Sequence, residues 1–158
     1  MRVDFARLLN EQMKKNNEIV LLCGDVGYGI FEEIFETYPN RSLNIGSSEQ
    51  LMIGMACGMA LENKIPICYT ITPFLLYRPF EFIRNYLHNE KIPVKLVGSG
   101  RDDDYQEAGF THHSFEAESV LAHLNSIKTF FPENSFELEH SFEEFLYSAS
   151  PAFLSLRR

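Results

Sequence analysis

Apolar residues fall along this chain in two alternating rhythms. Phe5, Leu8, Leu9 and Met13 recur at helical spacing through residues 4–16, and Ile19-Val20-Leu21-Leu22-Cys23 then runs apolar without interruption up to Gly24. The first pattern predicts an amphipathic helix, the second a buried strand. The alternation continues to the end of the chain. Helices are predicted over 30–38, 48–62, 73–89, 115–124 and 135–148, and short strands over 42–45, 65–71, 94–97, 127–131 and 152–156. Strands that are apolar at every position, rather than at every second one, are covered on both faces, so helices must flank a mostly parallel sheet from both sides. The expected architecture is a single three-layer α/β/α domain over residues 1–158.

In such a sheet the loops at the carboxyl ends of the strands share one rim, where ligands collect. Gly24 to Gly29, Gly46 to Glu49, Thr72 to Phe74 and Gly98 to Gly100 each follow a predicted strand. The connection from Ser99 to Phe110 is the one long irregular stretch, and long loops in compact domains are usually functional.

Chemistry-bearing residues on that rim each have a structural reading as well. Glu49 opens a helix, where an acid complements the helix dipole, and Ser47 with Gln50 has the spacing of a capping box. Phe74 and Tyr77, three apart on a predicted helix, fit a core-facing stripe. His112 and His113 fit a loop pair bonded to nearby carbonyls. Adjacent histidines rarely converge on one metal, and no cysteine or carboxylate cluster accompanies them, so no metal site is expected. Gly54 and Gly58, with Ala56 and Ala60, give a smooth helix face suited to close packing within the chain or against another subunit.

Composition narrows the classes. Of 158 residues, 45% are apolar and 23% charged, and the net charge is −8 with Lys and Arg scattered. Nucleic-acid affinity is built on phosphate neutralisation by clustered cations, so no nucleic acid is expected as a partner. No stretch approaches the ~20 apolar residues of a membrane span, and the start resembles no secretory signal, which makes a cytoplasmic location the expectation. Cys23, Cys57 and Cys68 lie in apolar runs and read as buried thiols.

Three segments carry a family resemblance. They are Gly46-Ser47-Ser48-Glu49-Gln50 with the glycine-spaced helix after it, Tyr69-Thr70-Ile71-Thr72-Pro73-Phe74-Leu75-Leu76-Tyr77-Arg78, and Gly98-Ser99-Gly100 followed by Tyr105 and Ala108-Gly109-Phe110-Thr111-His112-His113. Together they resemble the pyrimidine-binding domain of transketolase-type thiamine diphosphate enzymes. The resemblance covers essentially the whole chain. It implies that Glu49 hydrogen-bonds the aminopyrimidine ring of thiamine diphosphate, favouring the imino tautomer whose exocyclic nitrogen removes the thiazolium proton. By position it also implies that Ile71, Phe74 and Tyr77 hold the pyrimidine and that His112, with His113, meets the substrate. Sugar-phosphate transketolases place a second His where Gly100 stands, an acid at Ala108 and a Pro at Phe110. The pattern here is more similar to split, two-subunit transketolase-like proteins.

The Gly-Asp-Gly…Asn motif that holds the diphosphate and Mg2+ belongs to another domain in that family. The resemblance therefore implies a separate diphosphate-binding subunit that holds the Mg2+, in a heterotetramer or higher hetero-oligomer, and transfer of a two-carbon ketol unit between small sugars or sugar phosphates. A subunit of a 2-oxo acid decarboxylase or dehydrogenase, similar to the pyruvate dehydrogenase beta chain, and a non-catalytic assembly module are the alternatives.

Overall fold

The computed structural model describes residues 1–158. Helix α1 (Arg2–Lys15) leads into β1 (Ile19–Cys23), and α2 (Glu32–Thr37), β2 (Ser42–Asn44), α3 (Glu49–Leu61) and β3 (Ile65–Ile71) follow. Next come α4 (Thr72–Tyr77), the short α5 (Phe80–Phe82) and a π-helical stretch, Ile83–Asn89. The chain ends with β4 (Lys95–Ser99), α6 (Ala117–Ala122), β5 (Lys128–Phe130), α7 (Ser135–Tyr147) and β6 (Ala152–Leu156). The six strands form one sheet in the order β2-β1-β3-β4-β6-β5, and every pairing is parallel. The three-layer α/β expectation is borne out.

Strand side chains alternate between the two faces of a sheet, and each face here meets its own helical layer. Ile19, Leu21, Cys23, Ile67, Tyr69, Val97 and Leu154 pack with residues of α1, α2 and α7, including Phe5, Ile34 and Phe142. Val20, Leu22, Cys68, Leu96 and Phe153 pack with residues of α3, α4, the π-helical stretch and α6, including Met52, Leu75, Leu87 and Leu121. All three cysteines are buried free thiols. Burial pushes Cys23 up to about 12 and Cys57 to about 11, and raises Cys68 well above the ordinary thiol value.

Two local expectations are corrected. The single helix over 73–89 is broken after Tyr77, because Pro79 lacks the N–H a helix needs at that point. The chain resumes as α5 and then winds wider, with the Glu90 N–H donating to Asn85 O, five residues back; such π turns recur at functional sites. The Ser47–Gln50 capping box does not form. The cap residue is Ser48, one position later than expected, and its side chain makes no capping hydrogen bond; Gly46, two residues before it, turns the chain at φ +69°.

The strand ends form one rim, as expected. In register, Cys23 pairs with Asn44, Ile71 with Ser99 and Ser99 with Leu156. Asn44 Oδ1 accepts from the backbone N–H groups of Asp25 and Gly46.

Candidate functional site

Glu49 is the first residue of α3, and only 3% of it is exposed. Its one hydrogen-bond partner is Arg78, whose Nη1 donates to Oε1 at 2.6 Å. Arg78 lies in the break between α4 and Pro79, and its side chain remains 46% exposed. The guanidinium carbon stands 3.8 Å from the centre of the Phe74 ring. Phe74 in turn takes the His112 ring at 4.8 Å in an edge-to-face arrangement. A carboxylate, a guanidinium, an aromatic face and an imidazole thus stand in a row at the carboxyl ends of β3 and β4.

The loop from 99 to 113 supplies the far side. Tyr105 Oη shares a 2.8 Å hydrogen bond with Ser99 Oγ and accepts from Arg2 Nη1 at 3.4 Å. Its ring centre is 6.2 Å from that of His112. His112 Nδ1 shares a 3.0 Å hydrogen bond with Thr111 Oγ1, while Nε2 has no protein partner. Gly100 has φ +84°, and a Cβ there would lie 2.3 Å from Tyr105 Cε2. The Tyr105 ring therefore fills the space that a side chain at position 100 would need.

The remaining predicted site residues are placed as follows. Ile71 is buried at the end of β3, in register with Ser99, and belongs to neither apolar cluster. Tyr77 packs against the cluster containing Ala117 and Leu121, and its Oη is buried without a hydrogen-bond partner. Burial pushes its phenol up to about 12, and the nearby Glu116 adds to the rise. His113 has a buried, unpartnered Nε2 and packs edge-on to Phe110 and Phe115. Among the predicted residues, Phe74 and His112 are thus in direct contact, and Glu49 joins them through Arg78.

Sequence reasoning assigned no role to Arg78 or Tyr105. A half-exposed arginine normally reads as a solvated surface charge, and nothing in its local pattern shows which acid it reaches. The guanidinium doubles as a gauge of the site. It is planar, rich in N–H donors and stacks on aromatic faces. Its seat places a planar, nitrogen-bearing group on the Phe74 face and within hydrogen-bond reach of the Glu49 carboxyl group.

Comparison with known families matches the chain over residues 1–158 to the transketolase pyrimidine-binding domain. The chain belongs to that family. Among curated relatives, it is 28% identical over 159 residues to the 6-deoxy-6-sulfo-D-fructose transketolase subunit of a Clostridium species, an alignment covering 100% of this chain and 49% of that protein. It is 26% identical over 159 residues to a putative transketolase C-terminal section from Methanocaldococcus jannaschii, covering 100% of this chain and 50% of the relative. Among solved structures, a split-gene transketolase in an inactive β4 tetramer superposes with a TM-score of 0.86 at 25% identity, over 99% of this chain and 50% of that one. The chain thus spans about half the length of these relatives.

Proposed function

We propose that this chain is the pyrimidine-binding part of a split, thiamine diphosphate-dependent transketolase-like enzyme that moves a two-carbon ketol unit between sugars. A separate subunit would bind the diphosphate and its Mg2+. The observation that carries the reading is the buried Glu49 carboxyl group facing a planar guanidinium stacked on Phe74, with His112 against the same ring.

Thiamine diphosphate, when bound, supplies an acidic thiazolium carbon on which the ketol unit can be carried. The protein's part is to orient and to manage protons. Glu49 would hold a proton at Oε1 toward a pyrimidine ring nitrogen, and burial keeps water from competing for it. Phe74 offers the stacking face, with Ile71 and Tyr77 closing the apolar side. His112, its Nδ1 engaged by Thr111, has Nε2 available to hold or move a proton at a substrate hydroxyl, and His113 would flank it.

The outer face of α3 supports a place in an assembly. The helix is apolar around its whole circumference, as buried helices are. Yet Leu51 is 58% and Leu61 68% exposed, and a Cβ at Gly58 would meet nothing. That face suits contact with another subunit.

The test is co-purification with the diphosphate-binding subunit of the same genome, followed by ketol-transfer assays of wild type and Glu49→Gln. A loss of about 10²-fold or more is expected for removal of a positioned acid. Undiminished activity in the variant would remove the reading, and a 2-oxo acid as the only accepted donor would redirect it to a decarboxylase.

A further inference from the structure

We propose that Arg78 is a resident competitor for the pyrimidine seat: its guanidinium occupies both Glu49 and the face of Phe74, and it must swing out before the cofactor's ring can enter. This rests on the reading of Glu49 and Phe74 as pyrimidine-binding residues, and adds to it a gate formed by the chain's own side chain.

The geometry leaves no room for both occupants. A guanidinium carbon 3.8 Å from the ring centre is in van der Waals contact with Phe74, so no second flat group fits between them. The 2.6 Å bond to Oε1 takes the only hydrogen bond the Glu49 carboxylate makes. Any ring that stacks on Phe74 and bonds to Glu49 must break both contacts.

Arg78 is also built to leave. Those two contacts are the only polar or stacking interactions its side chain makes. It sits outside both apolar clusters, at the C-cap of α4 in the turn before α5, and nearly half of it meets solvent. Swinging the side chain outward therefore disturbs neither a core nor a helix. The opposite holds for Glu49, fixed at the start of α3 and 3% exposed. The mobile partner is the arginine, and the fixed one is the acid that the cofactor needs.

A site filled by its own side chain for most of the time binds ligand more weakly by the fraction of molecules in which it is open. If Arg78 is seated in nine molecules of ten, clearing it raises the apparent affinity about tenfold.

The test uses 4-amino-5-hydroxymethyl-2-methylpyrimidine, the free ring portion of the cofactor, titrated into the 158-residue chain and followed by NMR. Wild type is compared with Arg78→Met, Arg78→Lys and the double variant Glu49→Gln with Arg78→Met. Tighter binding by Arg78→Met, by about tenfold, is expected. The Arg78 Nε–H resonance of wild type should move during the titration toward its position in Glu49→Gln, as the pair opens. Arg78→Lys, which keeps the charge but loses the flat stacking surface, should lie between. The double variant should lose the gain.

Equal or weaker binding by Arg78→Met, with binding still dependent on Glu49, overturns the gate and leaves the cofactor reading standing. Binding that is indifferent to Glu49, or no binding by Arg78→Met, overturns both.

Discussion

The Thr72 hydroxyl donates to the Gly100 carbonyl oxygen at 2.6 Å, tying the residue after β3 to the residue after β4. Thr72 is buried, and a Cβ on Gly98 would fall 2.5 Å from its Oγ1, so the clasp also depends on that glycine. Thr72→Val keeps the branched shape and deletes the donor. Leaving a buried carbonyl underpaired costs about 1–3 kcal/mol. Ser114 Oγ approaches the same oxygen at 3.5 Å, so the loss should fall near the lower end, about 1 kcal/mol. Urea unfolding with an unchanged m value reads this directly, and an unshifted midpoint would show that the clasp contributes nothing.

Gly100 and Tyr105 form a second coupled pair, at one of the positions where the pattern of this chain departs from that of sugar-phosphate transketolases. Gly100→His should destabilise the domain by about 1–3 kcal/mol through left-handed backbone strain alone. The collision of any Cβ with the Tyr105 ring at 2.3 Å adds to this. The two contributions can be separated. Gly100→Ala should cost less in a Tyr105→Ala background than in wild type, because only the strain remains. Equal costs in the two backgrounds would mean the ring moves aside freely and does not specify glycine.

These pairs mark the boundary of what the sequence makes legible. The uninterrupted run Ile19–Cys23 reads as a strand covered on both faces because each of its side chains is buried in one of two layers. The helix break was legible in principle, since Pro79 stands inside the periodic segment and a proline interrupts a helix wherever its N–H is needed. The three-residue spacing of Phe74 and Tyr77 does not by itself separate their surroundings: Tyr77, the last residue of α4, packs against the apolar cluster, while Phe74 faces Arg78 and His112. Arg78 itself was illegible. Its partner lies 29 residues away, and a contact between the first residue of α3 and the turn after α4 depends on how β3 and α3 are docked, which no local spacing encodes.

Lys95 provides a pH test away from the site. It is 1% exposed, and its ammonium donates to the carbonyl oxygens of Ser148 and Ser150 at 2.6 and 2.8 Å. Burial lowers its pKa from 10.5 to about 8. Between these values the unfolded chain keeps the proton and the folded chain sheds it, so stability from this group rises with pH across the window and is lost as pH falls toward 8. The full effect is about 3 kcal/mol. Cys23 and Cys57, raised to about 12 and 11, act in the opposite sense above the ordinary thiol value. The comparison is therefore wild type against Lys95→Met, which keeps both thiols. The stability difference should shift toward wild type from pH 8 to 10.5, and a flat difference would show that Lys95 keeps an ordinary lysine pKa in the fold.

Arg101 anchors the loop that carries Tyr105 and His112. Its buried guanidinium donates from Nε to Ser155 Oγ at 3.1 Å, from Nη1 to Glu133 Oε1 at 2.5 Å, and from Nη2 to the carbonyls of Pro132 and Ser155. Its own backbone N–H donates to Asp104 Oδ2 at 2.9 Å, one residue before Tyr105. Arg101→Met leaves the buried acceptors on Pro132 and Ser155 without their common donor, at a cost of about 1–3 kcal/mol, while Glu133, 58% exposed, is left to solvent. Arg101→Lys should recover less than half of the loss, because a point ammonium cannot span acceptors that a rigid fork reaches at once. Hydrogen exchange separates the local from the global effect: the amides of Gly100 and Asp104, which donate to Leu156 and Arg101 carbonyls, should lose protection before those of β1 and β3. Uniform loss across the sheet would mean that Arg101 supports the whole domain and not this loop in particular.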